Sequence, residues 1–299
     1  MSRRIVAPLV VGWLIVGGFG AWAYAHDYYV YRGFGPPRNP PGVAAGRVVR
    51  VSFHSAALQA QRSYDIYLPP GYAPGRRFDV LYLLHGSPGA PLQFIDDSAV
   101  GVAMDTLIAR HEIRPFLIVM PDGRDGTLLD DTEWADTPHG RYESFVLDVV
   151  RDVDHRWPTI ADRDHRVLAG NSEGAYAAAN LTLRHLSTFG AFESWSGYFR
   201  QTRTGVFARA SAAQLAANSP IDLASRVHLG APGRTLHAYL YGGAQDPDTR
   251  QLLPFARALR AAGATVATAD PPGRHDWGLW RDWTPRMLRW AAAQMGATG

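Results

Sequence analysis

The chain contains no cysteine and no lysine. The first absence excludes disulfides, thiol nucleophiles and thiolate metal sites. The second puts all 30 basic side chains on arginine, and with 27 acidic ones the net charge is only +3. The arginines are scattered and form no basic stripe, so no nucleic-acid partner is expected. Internal repeats are absent, no obligate protein partner is indicated, and no cofactor or metal site is expected.

Charge is also missing from Ile5 to Ala25. A helix needs about twenty apolar residues to cross the hydrocarbon core. Arg3 and Arg4 precede the run, and Trp22, Tyr24, Tyr28, Tyr29 and Tyr31 crowd its far end as an interfacial belt would. The expectation is a membrane anchor over residues 1–27 with the body outside the cytoplasm. A cleaved signal peptide is the alternative, since Ala23-Tyr24-Ala25 has the small-x-small form of a cleavage site. Residues 28–46 are rich in proline and glycine and read as an extended linker. Residues 47–299 then suffice for one α/β domain.

Within that body, apolar runs alternate with helical patterns. Strands are predicted over 47–54, 63–68, 78–84, 116–120, 167–169, 236–241 and 266–269. Residues 142–157 carry apolar side chains at helical spacing, and Pro158 stops them. A second helix is predicted over 99–109 with Ser98 as N-cap, and the last helix is predicted to open at Thr284-Pro285. The alternation implies a mainly parallel sheet with right-handed crossovers. Residues 200–234 interrupt it and read as an excursion over the sheet.

The chemistry centres on Gly170-Asn171-Ser172-Glu173-Gly174, which has the G-x-S-x-G form between an apolar strand and an Ala-rich helix. A serine hydroxyl needs a base within hydrogen-bond reach and an acid to orient that base. His275 lies in a loop between the last strand and the last helix, where ligands bind in such sheets. His185, His228 and His237 are less well placed. Asp246 follows the strand 236–241 and is the candidate acid, with Asp248 as the alternative. For the oxyanion, the backbone N–H groups of Glu173 and Ser87 are the candidate donors. Pro88 has no N–H, and His85 is expected to pack at the strand end. Phe94, Trp134, Trp195 and Trp277 are candidates to line an acyl pocket. The acidic stretch Asp122, Asp125, Asp130, Asp131 and Glu133 lacks calcium-loop spacing and reads as a solvated loop beside the substrate.

Together with Leu83-Leu84-His85-Gly86-Ser87, Val119-Met120-Pro121-Asp122-Gly123, Ser194-Trp195-Ser196-Gly197, Asn218-Ser219-Pro220 and His275-Asp276-Trp277 with Trp280, these residues resemble the esterase D / mycolyltransferase branch of the α/β-hydrolases over roughly 47–295. The resemblance implies an α/β-hydrolase fold and acyl transfer from an ester. By position it implies Ser172 as nucleophile, Asp246 as acid, His275 as base, and Ser87 and Glu173 as backbone donors. Two positions depart from the family: it usually has an uncharged residue where Glu173 stands and a glycine where Ala175 stands. A carboxylate beside the nucleophile favours a cationic acyl group. The resulting expectation is a membrane-anchored serine esterase acting on an acyl or aminoacyl ester of a membrane lipid. An acyltransferase or a catalytically silent envelope protein are the alternatives.

Overall fold

The computed structural model describes residues 17–22, 32–73, 75–127, 131–227, 229 and 235–296. Most of the predicted membrane segment, and the candidate His228 and Asp130, lie outside these residues. No helix among the described residues is long and apolar enough to cross a membrane.

The body is built on eight strands: β1 (Arg47–Ser55), β2 (Ala60–Leu68), β3 (Val80–Leu84), β4 (Leu117–Pro121), β5 (Arg166–Asn171), β6 (Ala191–Trp195), β7 (His237–Tyr241) and β8 (Thr265–Ala269). Their order in the sheet is β1-β2-β4-β3-β5-β6-β7-β8. The pairs β1–β2 and β2–β4 are antiparallel and the rest are parallel. This is the mostly parallel, helix-flanked sheet of an α/β-hydrolase-like fold. Five principal helices cover it: α1 (Val100–Ala109), α2 (Tyr142–Arg156), α3 (Glu173–Arg184), α4 (Leu252–Ala261) and α5 (Trp277–Gln294).

The core follows from strand periodicity. In β3, Val80, Tyr82 and Leu84 point to the face packed by Phe145, Val146 and Val149 of α2. Leu81 and Leu83 point to the face packed by Met104 and Leu107 of α1 and by Met287 and Leu288 of α5. All five β3 side chains are fully buried. Each such burial stabilises the fold by roughly 1.5–3 kcal/mol, which explains why the central strands read as unbroken apolar runs. A third cluster joins Leu183 of α3 and Leu240 of β7 to Phe255 and Leu259 of α4.

Three local expectations differ. Strand β6 was not predicted, because Glu193 and Ser194 break its apolar pattern while both are completely buried. Ser98 does not cap α1: its hydroxyl donates to the Phe94 carbonyl at 2.7 Å, and the cap residue is Ala99 in the left-handed region. Helix α5 opens two turns before Thr284, capped by Asp276 accepting the Leu279 N–H at 3.0 Å. Pro285 therefore lies inside it, and Thr284 Oγ1 bonds the Trp280 carbonyl at 2.7 Å.

The proline-rich linker is docked along part of its length. Asn39 Nδ2 donates to Asp105 Oδ2 at 2.8 Å, Gly46 N to Asp105 Oδ1 at 2.9 Å, and the Tyr67 hydroxyl also bonds Asp105. Gly46 is required there, since a Cβ would meet the Tyr67 ring at 2.5 Å. Phe34 lies under the Arg281 guanidinium, 4.8 Å from ring centre to carbon.

Glu193 reports on this interior. Trp195 Nε1 donates to its Oε2 at 2.9 Å, while Oε1 has no hydrogen-bond partner among the described residues. Burial pushes its pKa well above the ordinary value of 4.5. With the folded pKa raised, its contribution to stability is complete below the unfolded value and is lost as pH rises towards the folded one. Urea unfolding between pH 5 and 9 should show wild-type stability falling more steeply with pH than that of Glu193→Gln. Parallel pH profiles would contradict this assignment.

Candidate active site

The elbow is set by two glycines. A Cβ on Gly170 would lie 2.5 Å from the Leu84 and Gly174 carbonyl oxygens, and one on Gly174 would lie 1.9 Å from the Leu84 carbonyl oxygen. No side chain fits, so β5 turns abruptly into α3 on top of the end of β3. Ser172 sits on the turn with φ 55 and ψ −119. This is a costly conformation for an L-residue, held by its N–H donating to the Trp195 carbonyl at 2.9 Å. Ala175, where a second glycine was expected, is accommodated by Gly197, whose Cα faces the Ala175 methyl.

The candidate nucleophile, base and acid come from the ends of three strands and meet. Ser172 Oγ is 2.9 Å from His275 Nε2, and His275 Nδ1 is 2.8 Å from Asp246 Oδ2. Burial opposes ionisation of Asp246, but hydrogen bonds from His275, the Asp248 N–H and Ser196 outweigh it and hold its pKa below the usual value. Asp248 shows the opposite direction, raised by burial and then by the charge of Asp246. The ligand atoms of Asp246, Asp248 and His275 lie within 4.8 Å of one another. His275 Nδ1 is already committed to Asp246. Ser196 also accepts the Trp280 indole N–H at 3.1 Å. Its hydroxyl thereby holds the candidate acid, a contact its place in Ser-Trp-Ser-Gly does not disclose.

The other candidates are placed elsewhere. His185 Nε2 bonds Glu143 at 2.7 Å, and His237 opens β7. His85 is buried, and burial lowers its pKa to about 4. As a neutral ring it donates from Nδ1 to the Gly86 carbonyl (2.9 Å) and accepts the Gly123 N–H at Nε2 (3.1 Å). It thus ties the Gly86-Ser87 loop to the loop after β4.

Phe94, Trp134 and Trp195 are at most 1% exposed and do not form an open acyl pocket. Phe94 packs against Trp195 and Trp277, each at 6.0 Å between ring centres. Trp134 Nε1 bonds the His85 carbonyl at 3.0 Å. Trp277 alone of the four is partly exposed.

The acidic stretch is likewise not a solvated loop throughout. Asp122 pairs with Arg124 at 2.7 Å. Glu133 is drawn inward, accepting from Tyr198 (2.5 Å) and Gln201 (2.8 Å). Burial raises its pKa to about 7. Glu173 is 5% exposed. Burial first, then the charges of Glu133 and Asp131, push its pKa well up. Its carboxyl is held by the protein's own groups.

The Esterase family model, described as "Putative esterase", matches residues 55–291. A protein of Xylanibacter ruminicola named endo-1,4-beta-xylanase/feruloyl esterase is 29% identical over 180 residues, 57% of this chain and 23% of that protein. The chain therefore spans less than a quarter of that relative's length. A solved ferulic acid esterase matches with a TM-score of 0.75 and 24% identity, covering 84% of this chain and 99% of that one. An S-formylglutathione hydrolase from Agrobacterium tumefaciens matches with a TM-score of 0.71 and 13% identity, covering 87% and 99%. At these identities the two structures speak for the fold. The family match agrees with the esterase D-like resemblance and supports a carboxylic-ester hydrolase. The matched region contains the elbow and the candidate acid and base, and the chain belongs to the Esterase family.

Proposed function

We propose that this chain is a serine esterase, tethered to a membrane with its body outside the cytoplasm, which hydrolyses a carboxylic ester through an acyl-enzyme on Ser172. The observation that carries the reading is the run of contacts from Ser172 Oγ through His275 to Asp246, at 2.9 and 2.8 Å. In this reading His275 Nε2 takes the hydroxyl proton as Oγ attacks the ester carbonyl. Asp246 holds the Nδ1–H and stabilises the imidazolium that forms. The backbone N–H groups of Ser87 and Glu173 receive the oxyanion, where fixed donors act most strongly. His275 then passes the proton to the leaving alcohol, and a water activated by the same ring releases the acid.

The uncharged run Ile5 to Ala25 and the aromatic residues after it support the tether and a lipid-borne ester as substrate. With the Glu173 carboxyl held by the protein's own groups, acyl and aminoacyl esters stand as equal candidates in this reading. The relatives named as feruloyl esterases place aromatic-acid esters beside acyl esters in the set to be assayed.

The direct test is burst kinetics with p-nitrophenyl esters, a feruloyl ester and a vesicle-borne acyl ester. Wild type should give a burst stoichiometric with enzyme. Ser172→Ala should lose the burst and at least roughly 10³-fold in kcat. A burst that persists in the variant would remove Ser172 from the reaction.

The choice of acid is tested separately. Asp246→Asn should lower kcat by roughly 10³–10⁴-fold, whereas Asp248→Asn should have little effect; the reverse ranking would make Asp248 the acid. For the tether, the full chain should sediment with lipid vesicles. A chain lacking residues 1–31 should stay in the supernatant, with its turnover of soluble esters retained and its turnover of vesicle-borne ester reduced. Equal turnover of vesicle-borne ester by the two chains would count against a lipid-surface substrate.

A further inference from the structure

Glu173 marks the departure from the family pattern, and its surroundings suggest what a carboxyl does there. It stands at the first position of α3, directly after Ser172. Its side chain is held by the Ser87 side chain and by the Glu133 backbone N–H, with Thr132 Oγ1 at a longer 3.5 Å. These partners belong to two loops, one leaving β3 and one running between β4 and α2.

The second loop is costly to hold. Glu133 and Trp134 are consecutive residues at φ 50 and 47. Non-glycine residues in that region cost roughly 1–2 kcal/mol each. The conformation is maintained by Tyr198 and Gln201 on Glu133, by the Trp134 bond to the His85 carbonyl, and by room for the indole at Gly123, where a Cβ would lie 2.4 Å from the ring. The loop is thereby a fixed wall against which Glu173 is set.

We propose that the Glu173 carboxyl is a positioning group that locks the Ser87 loop to the nucleophile elbow and so fixes the two oxyanion donors relative to each other. The proposal rests on the reading of Ser172 as nucleophile and of the Ser87 and Glu173 N–H groups as donors. One side-chain hydrogen bond joins the two residues that carry those donors. Such donors work only when both are held on one oxygen to within about 0.5 Å. The groups facing the carboxyl are Glu133, Asp131, Ser87 and Thr132. Burial and the charges of Glu133 and Asp131 favour the neutral acid, against the opposing hydrogen bonds from Ser87 and the Glu133 N–H.

The test uses the full chain with a neutral p-nitrophenyl ester. The second readout is the affinity for a boronic acid, which adds to the serine as a tetrahedral mimic and needs the same donors. Glu173→Met, which keeps volume without acceptors, and Ser87→Ala, which keeps the peptide N–H, should each lower kcat roughly tenfold to hundredfold. KM should stay within about twofold, because the lost interaction belongs to the transition state. Boronate affinity should fall by the same factor as kcat, a readout that a purely structural role would leave unmoved. Glu173→Gln, which keeps an acceptor, should recover most of the activity. The double variant Ser87→Ala/Glu173→Met should be little worse than either single one, because both remove the same bond.

Unchanged kcat and boronate affinity, fully additive losses, or a defect confined to amine-bearing esters would overturn the proposal. If Glu173→Met does not fold, Ser87→Ala and Glu173→Gln decide the matter by the same readouts. Absence of a wild-type burst overturns the esterase reading and this proposal with it. An intact wild-type burst with unaffected variants overturns this proposal alone.

Discussion

The site depends on one close approach of backbone to backbone. The end of β3 presents the Leu84 carbonyl to the elbow so closely that neither Gly170 nor Gly174 has space for a methyl group. That contact sets the height of Ser172 above the sheet. It also brings the chain leaving β3, with Gly86 and Ser87, alongside the serine; a Cβ on Gly86 would lie 3.0 Å from the Ser172 Cβ. The remaining polar arrangement is built outward from this crossing. Asp246 and His275 arrive from β7 and β8, and their distances to Ser172 have meaning only because the elbow is fixed.

Packing on the two faces of the sheet is mainly apolar, Glu193 being an exception, and the upper rim departs from it further. Ser172 occupies an unfavourable backbone conformation, the buried Glu173 carboxyl lies near that of the partly buried Glu133, and Glu133 and Trp134 take left-handed angles in succession. Departures of this kind persist where the surrounding structure over-determines them, and they cluster where chemistry is arranged. The group of them between β3, β4 and α3 lies at the end of the molecule that carries the candidate site.

Much of the scaffold was legible in the sequence for a simple reason. Strands buried on both faces must be apolar throughout, and a helix against a sheet must carry its apolar residues at helical spacing. Strands β3, β4, β5 and β7 and helix α2 obey these rules. Strand β6 does not, because Glu193 is fully buried and bonded to Trp195, a pairing that no periodicity announces. The start of α5 was missed because Thr284-Pro285 imitates a helix opening, while the true cap, Asp276, lies directly after His275. At the site, Ser172, Asp246 and His275 follow from motif and chain order. Ser196, Thr132, Tyr198 and Gln201 do not, since each acts through a contact between loops far apart in the chain. The burial of Phe94, Trp134 and Trp195 illustrates the same limit: an aromatic residue near a motif reads alike whether it lines a pocket or supports one.

Strand β8 is one of the two outer strands of the sheet, with Thr265 exposed and its other residues only half-buried. His275 hangs from the loop that follows it, while Ser172 rises from the centre. An outer strand bonded on one side only opens at far lower free energy than the interior does. If His275 is the base, as proposed, heat or mild denaturant should withdraw it while the sheet still holds Ser172 in place, and loss of activity should run ahead of loss of structure. Heat resistance of the activity is accordingly a property of the β7–β8 pairing and of the seat of α5, more than of the apolar centre that gives the molecule most of its stability.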